Sequence, residues 1–449
     1  MLSLPIFTHG RRPRVCLCGP QQTTLRLELN RDELPRRRIT SCSQEPCFTP
    51  RPFWPLSADT AAAQETVTLW HPFSLETDMI HGGIASFNES QDAYRVEARI
   101  VPGPQIATEL VKAIATGSVP DLVTIDNPVV PSFSAQGVLE DLTDLVAQSD
   151  AVNPENYFEG PWNSVLWEDR IYGVPRDSNT LALYYNADMF REKGLDPDNP
   201  PQTWSELMAA AEKLRDPGSN VFGFGFSALQ SEEGPFQWLP FLYQNGGSIE
   251  ELNAPEAVEA LQLWADFVEK DLVTRDVINM RQYEVANTFM AGNAAMVIGG
   301  PWELPRMEKD AQFDWRLALL PVKDGKDIRA SSLGGYDYVI PEGASNVEGA
   351  FEFVEFMSAP EILNEGWKTG RLAPRSDIMV EDPQWPQAYE IYREQLASAR
   401  ARGPHPRWPE ISRPIQLAIQ EALTGSKTPQ EALDDAAAAI APILAEQPL

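Results

Sequence analysis

At 449 residues the chain exceeds one ordinary core, so two or more domains are expected, and 43% hydrophobic with 9% aromatic residues is enough to fill them. A formal net charge of -29 and a pI near 4.5 leave no basic surface to neutralise phosphates, which excludes a nucleic-acid partner. All four cysteines (Cys16, Cys18, Cys42, Cys47) lie in the first segment, so thiols can supply neither disulfide nor metal to the rest.

That first segment reads as a different chain. Residues 1–55 carry nine arginines against four acidic residues, opposite in sign to the remainder. It has no apolar run of the roughly 7 to 15 residues that a secretory leader needs. Yet Ala58 to Ala63, before Gln64-Glu65, resembles the small-residue end of such a leader. Residues 1–64 are therefore expected to be a disordered or mis-assigned leader; a native Arg/Pro-rich tail is the other reading. The C-x-C and C-x4-C spacings fit no common zinc motif, and no metal site is expected. No later stretch approaches the ~18 apolar residues of a membrane span.

From Thr66 the pattern is α/β. Val67 to Trp70 is a short buried strand, and Ile80, Ile84 and Phe87 give the next helix its apolar stripe. Tyr94, Val96, Ala98 and Ile100 alternate with Arg95, Glu97 and Arg99, a strand with one wet face. A helix with Ile106, Leu110 and Ile114 ends at Gly117, and Leu122 to Ile125 is a further buried strand. This β-α-β-α-β order predicts an open, largely parallel sheet, with ligands beyond the carboxyl ends of the strands. Trp70-His71 and Asp126-Asn127 follow two of those ends.

Val174 to Leu195 organises what comes after. Leu181, Leu183 and Tyr185 face one way, Ala182, Tyr184 and Asn186 the other, and the strand runs into a helix at Asp188. Asp177, Ser178 and Asn179 precede it in an extended connection. A helix at Trp204 to Leu214, a strand at Val221 to Phe226, the aromatic run Phe236 to Tyr243 and a helix at Pro255 to Lys270 build a second α/β lobe. Phe289 to Trp302 reads as helix, turn, strand and a Gly-Pro-Trp corner. Leu317 to Val322 and Leu333 to Pro341 read as strands, a helix spans Val347 to Ser358, and the turn Lys368 to Arg375 leads to the C-terminal helices.

Three of these stretches carry a family resemblance. A-L-Y-Y-N-x-x-x-F-x-E at Ala182 to Glu192 resembles the signature of family 1 extracellular solute-binding proteins, the capture subunits of bacterial ABC importers for sugars and related solutes. F-M-A-G-N-A-A-M-V-I-G-G-P-W at Phe289 to Trp302 is similar to the maltose-type carbohydrate-binding branch, and the Lys368 to Arg375 turn follows in order. Arg176 departs from the pattern, which prefers an apolar residue there. The resemblance covers about residues 65 to 445. It implies a two-lobed, type II periplasmic-binding fold, each lobe a mainly parallel sheet flanked by helices with a hinge between. Lobe 1 would hold 65–176 plus 317–371 and lobe 2 177–316 plus 372–449, with crossings at Arg176-Asp177, near Trp315-Leu317 and near Arg371-Pro374. It also implies an exported, periplasmic monomer that binds a carbohydrate and delivers it to the transmembrane subunits of a permease, without cofactor or catalysis.

Sugar recognition calls for flat apolar faces against the C–H surface of a ring and planar polar groups for paired hydroxyls. Trp302, held after a Gly-Gly-Pro turn, is the leading candidate; its other reading is a hydrophobic plug between lobes. Trp70 and His71 are either crevice floor or core, and Asp126 and Asn179 either ligands or turn residues bonding their own backbone. Gly335 with Tyr336 permits close backbone approach to a ligand, or marks a bulge. Trp238 sits among Phe236, Leu239 and Phe241, where core packing competes. Arg371 stands where the family often carries Tyr, which raises the alternative of a glycerol phosphate or related anion, with Arg413 as a second clamp. With four histidines and no H-E-x-x-H, G-x-S-x-G or P-loop, the common hydrolytic sites are absent; a glycosidase carboxylate pair is the remaining enzymatic alternative. Gly223-x-Gly225-x-x-Ala228 imitates a dinucleotide fingerprint but is read as strand, because no helix opens after it.

Overall fold

In the computed structural model the described residues are 64–73, 79–381 and 383–446. The leader expected over 1–64, with its cysteines, lies almost entirely outside them.

The first sheet is built from β1 (Glu65–His71), β2 (Tyr94–Ile100), β3 (Leu122–Asp126), β6 (Val174–Pro175) and β11 (Tyr336–Val339), with β4 (Leu166–Trp167) and β5 (Arg170–Ile171) forming a small hairpin alongside. Its order is β2-β1-β3-β11-β6. β1 pairs parallel with β2 and β3, as the alternation of strands and helices requires, and β11 enters antiparallel between β3 and β6. The helix Gly103–Thr116 ends at Gly117, whose φ of 64° is the left-handed conformation that a glycine cap adopts without strain. β2 is the edge strand. Val96 alone on it is buried, and Ile100 at its end is 49% exposed.

The second sheet is β7 (Ala182–Asn186), β8 (Met296–Gly299) and β9 (Trp315–Ala318), in the order β8-β7-β9. All its pairings are antiparallel, so the mainly parallel sheet expected for each lobe holds only for the first. β7 is buried on both faces. Leu183 and Tyr185 join the large core that surrounds Trp238, Trp264 and Trp408, while Ala182 and Tyr184 pack with Phe289, Trp367 and Tyr392. The helix Trp204–Leu214 starts on a capping box in which Thr203 and Glu206 satisfy each other's backbone N–H groups.

Two expectations change here. Residues 221–226 are not a strand: they run extended, held by single bridges such as Phe222 with Ala294. A Cβ on Gly223 would lie 2.1 Å from the Ala211 carbonyl oxygen, so that glycine serves close packing. The second crossing also moves. β9 pairs with β7 in the second sheet, and β10 (Ser331–Ser332) pairs with β12 (Ala399–Arg400) in a separate two-stranded ladder, so residues 317–332 stay on the second sheet's side. The chain passes back at Gly334-Gly335 instead of near Trp315-Leu317. The expected crossing falls inside β9 itself.

The crossings are laced together. Asn179 and Gly334 exchange both backbone hydrogen bonds, at 2.9 Å each, and Ser178 bridges Leu372 the same way.

Candidate functional site

Where the two lobes meet lies a cleft of about 360 Å³. From the first sheet's end come Pro72, Phe73, Asp126 and Tyr336. From the second lobe come Glu232, Glu233, Phe236, Gln282, Trp302 and Arg402, and the crossings add Asn179, Gly334, Gly335 and Arg371.

Its aromatic wall is Trp302 and Phe236, with ring centroids 6.4 Å apart. The Trp302 turn is anchored from behind. Tyr184 donates to the Gly300 carbonyl at 2.9 Å, and the Tyr392 hydroxyl sits 2.9 Å from that of Tyr184 and 3.0 Å from the Gly299 carbonyl. On the facing wall Tyr336 meets Phe73 edge-on at 4.9 Å, and the guanidinium groups of Arg176 and Arg371 lie over Phe73 at 3.9 and 5.1 Å. Arg176, the departure from the family pattern, is thus fully buried, and it forms an ion pair with Asp177. Asp177 in turn accepts the Tyr336 N–H at 3.3 Å.

Charge is concentrated on Arg402. Its Nη2 donates to Asp126 Oδ1 and Oδ2 at 3.0 and 3.2 Å, its Nη1 to Glu232 Oε2 at 3.2 Å, and its plane lies 4.8 Å from the Phe236 ring. Glu232 is held by Trp408 Nε1 at 3.1 Å and by Ser412 and Gln416. Arg402 is only 5% exposed. Burial disfavours its charge, but Asp126 and Glu232 restore it and raise its pKa. Burial pushes the Asp126 carboxyl above its ordinary value, with the Arg402 charge pulling it back. Burial also raises Glu233, which accepts the Gln282 N–H at 2.7 Å.

Of the residues picked from sequence, Asp126, Asn179, Trp302, Gly335, Tyr336 and Arg371 line this cleft. Trp70, His71 and Trp238 do not. Strand alternation sends Trp70 to the opposite face, under Arg99 at 4.9 Å, and the chain reaches the cleft only at Pro72-Phe73. His71 is buried, its Nδ1 accepting the Phe73 N–H at 3.3 Å, so it positions Phe73. Trp238 is wholly enclosed in the second lobe's core. Arg413 is exposed on the helix Trp408–Thr424, outside the cleft, and cannot act as the second clamp. Phe73, Glu232, Glu233, Phe236, Gln282 and Arg402 were missed. Glu232-Glu233 ahead of an aromatic helix was a usable signal; Arg402, in an irregular Ala-Arg-Gly-Pro stretch, left none.

Among the described residues no cluster of His, Cys, Asp or Glu could hold a metal ion, and no helix is long and apolar enough to cross a membrane. Two α/β lobes joined by a laced hinge, with aromatic and polar side chains converging between them, have the build of a receptor for a small solute. Residues 76–362 match the bacterial extracellular solute-binding protein family, and the chain belongs to it. It is similar in fold to an ABC transporter solute-binding protein from Thermotoga lettingae bound with alpha-D-tagatose, at 30% identity and a TM-score of 0.77 over 85% of this chain and 100% of that one. A maltose-bound T. maritima MalE3 shares the fold at 23% identity and a TM-score of 0.75, over 84% of this chain and 100% of the other. In sequence it is 26% identical to the sn-glycerol-3-phosphate-binding periplasmic protein of Escherichia coli K12, over 84% of this chain and 92% of that protein.

Proposed function

We propose that this chain captures a carbohydrate, a mono- or oligosaccharide, in the cleft and delivers it, unchanged, to the membrane permease of an ABC importer on the periplasmic side. One observation carries the reading: the Trp302 indole stands partly exposed in a cleft that also holds planar hydrogen-bonding side chains, among them Asp126, Asn179, Glu233 and Arg371, supplied by both lobes and the crossings between them. An indole face covers the C–H side of a sugar ring while Asp126, Asn179, Glu233 and Arg371 serve its hydroxyls. Ligand contacts drawn from both lobes favour the closed state by their differential affinity, and the closed form is what a permease would receive. The proposed binding set is Phe73, Asp126, Asn179, Glu233, Trp302, Tyr336 and Arg371, with Arg402 beneath.

Calorimetric titration of D-tagatose and maltose against wild type and Trp302→Ala tests it. Loss of a buried stacking face costs about 2 kcal/mol, roughly 30-fold in affinity. Equal affinity in a folded Trp302→Ala protein would take the indole out of the site.

The alternative, a glycerol phosphate or related ester, has two things in its favour: Arg371 and Arg402 in the cleft, and the named ligand of the E. coli relative. It predicts stabilisation by sn-glycerol 3-phosphate that disappears in Arg371→Ala.

A further inference from the structure

The charge arrangement around Arg402 separates these two ligand classes, and the role assigned to it rests on the proposed carbohydrate function. We infer that Arg402 is a specificity-determining ligand contact: Asp126 and Glu232 bridge its two terminal nitrogens across the cleft, leaving Nε–H to meet a neutral hydroxyl oxygen and leaving no net positive charge for an anion.

Three observations support this. First, Nη1 and Nη2 are both engaged by carboxylates, one from each lobe, within 3.2 Å. Second, Nε is buried with no hydrogen-bond partner among the described residues, on a side chain that lines the cleft. A buried N–H without a partner is costly, so a ligand oxygen placed there gains a hydrogen bond and removes a penalty at once. Third, Glu233 adds another carboxylate to the same cleft, and no lysine or arginine lies within ion-pair distance of it among the described residues. An incoming phosphate would meet three carboxylates, Asp126, Glu232 and Glu233, against the two guanidinium groups of Arg371 and Arg402, the second already bridged on both sides. A hydroxyl meets none of that repulsion: it accepts from Nε and donates to a carboxylate. Arg402 is 5% exposed and held from both sides, and swinging away to serve an anion elsewhere would take from Asp126 the cation that offsets the burial of its carboxylate.

The test compares wild type with Asp126→Asn and with the Asp126→Asn/Glu232→Gln double variant, each titrated with D-tagatose, maltose and sn-glycerol 3-phosphate by calorimetry and thermal shift. Circular dichroism checks the fold. In wild type, sn-glycerol 3-phosphate should bind at least 100-fold more weakly than the better sugar. Removing the bridging charges should raise its affinity tenfold or more in Asp126→Asn and further in the double variant. If the double variant does not fold, Asp126→Asn alone decides, since Asp126 lies on the other lobe from the Glu232 network. Wild type binding the phosphate ester as tightly as the sugars overturns the inference, and so does a folded Asp126→Asn whose phosphate affinity is unchanged. If no sugar binds wild type, the carbohydrate reading fails separately, while the phosphate titrations of the variants still decide the role of the bridge.

Discussion

Glu303 shows how a single side chain behind the site sets a pH dependence. It follows Trp302, is 1% exposed, gives Oε2 to Arg306 at 2.6 Å and leaves Oε1 without a partner among the described residues. Burial pushes its carboxyl from 4.5 up to about 7, with the Arg306 charge opposing. Between those values the native state keeps a proton that the unfolded chain has lost, so stability is full below 4.5, falls as pH rises through the window and levels off beyond it. The loss is on the order of 3 kcal/mol. Glu303→Gln removes the titrating group. Its melting temperature relative to wild type should therefore be higher at pH 8 than at pH 5, by scanning calorimetry at both; an equal difference at the two pH values would show that Glu303 titrates normally. Residues of this kind were invisible in the sequence. Glu303 looks like any carboxylate opening a helix, whereas Trp302, one position earlier, was legible because a Gly-Gly-Pro turn cannot bury an indole within itself.

At the scale of elements, the Trp302 turn is a designed close approach. A Cβ on Gly300 would lie 2.1 Å from the Trp302 ring, and one on Gly370, whose φ is +71°, would lie 1.9 Å from the Pro301 carbonyl oxygen. Those two glycines let the corner after β8 press against the turn before Arg371, which brings Trp302 and Arg371 into one cleft. Gly300→Ala has to swing the indole out. We expect a loss of sugar affinity of tenfold or more with the far-ultraviolet spectrum unchanged, read by calorimetry and circular dichroism; full affinity would mean the indole has another place to sit that still serves the ligand. Elements were legible where period and caps agreed, as in the first sheet's parallel strands and the Gly117 stop. They were not where the partner decides: Leu317 to Val322 read as a strand, but only the pairing of β9 with β7 and of β10 with β12 assigns this part of the chain to the second lobe. The same limit misplaced Trp70, since which face of β1 looks into the cleft depends on what covers the other.

For the whole molecule, the hinge and the cleft are one device. Gly335 has φ +151°, and a Cβ there would lie 2.4 Å from the Asp177 carbonyl oxygen; its own carbonyl accepts the Asn127 N–H at 3.1 Å. Its neighbours Gly334 and Tyr336 line the cleft, so the backbone that bends between the lobes also touches the ligand's space. A side chain at 335 must strain that crossing, by about 1–3 kcal/mol, and the strain is relieved by moving Asp177 away. Ligand binding closes the lobes only by the free energy it gains from both, and at a hundred times its dissociation constant that stabilises the fold by about 2.7 kcal/mol. Gly335→Ala spends part of this gain against strain. In wild type, saturating sugar should reduce the radius of gyration by small-angle X-ray scattering and raise the melting temperature. In Gly335→Ala both responses should shrink together, because the variant weakens closure and not the individual contacts of Trp302. A variant that loses the thermal shift but contracts fully would place Gly335 in ligand contact alone, and one that keeps both would show that the bend lies elsewhere along the three crossings.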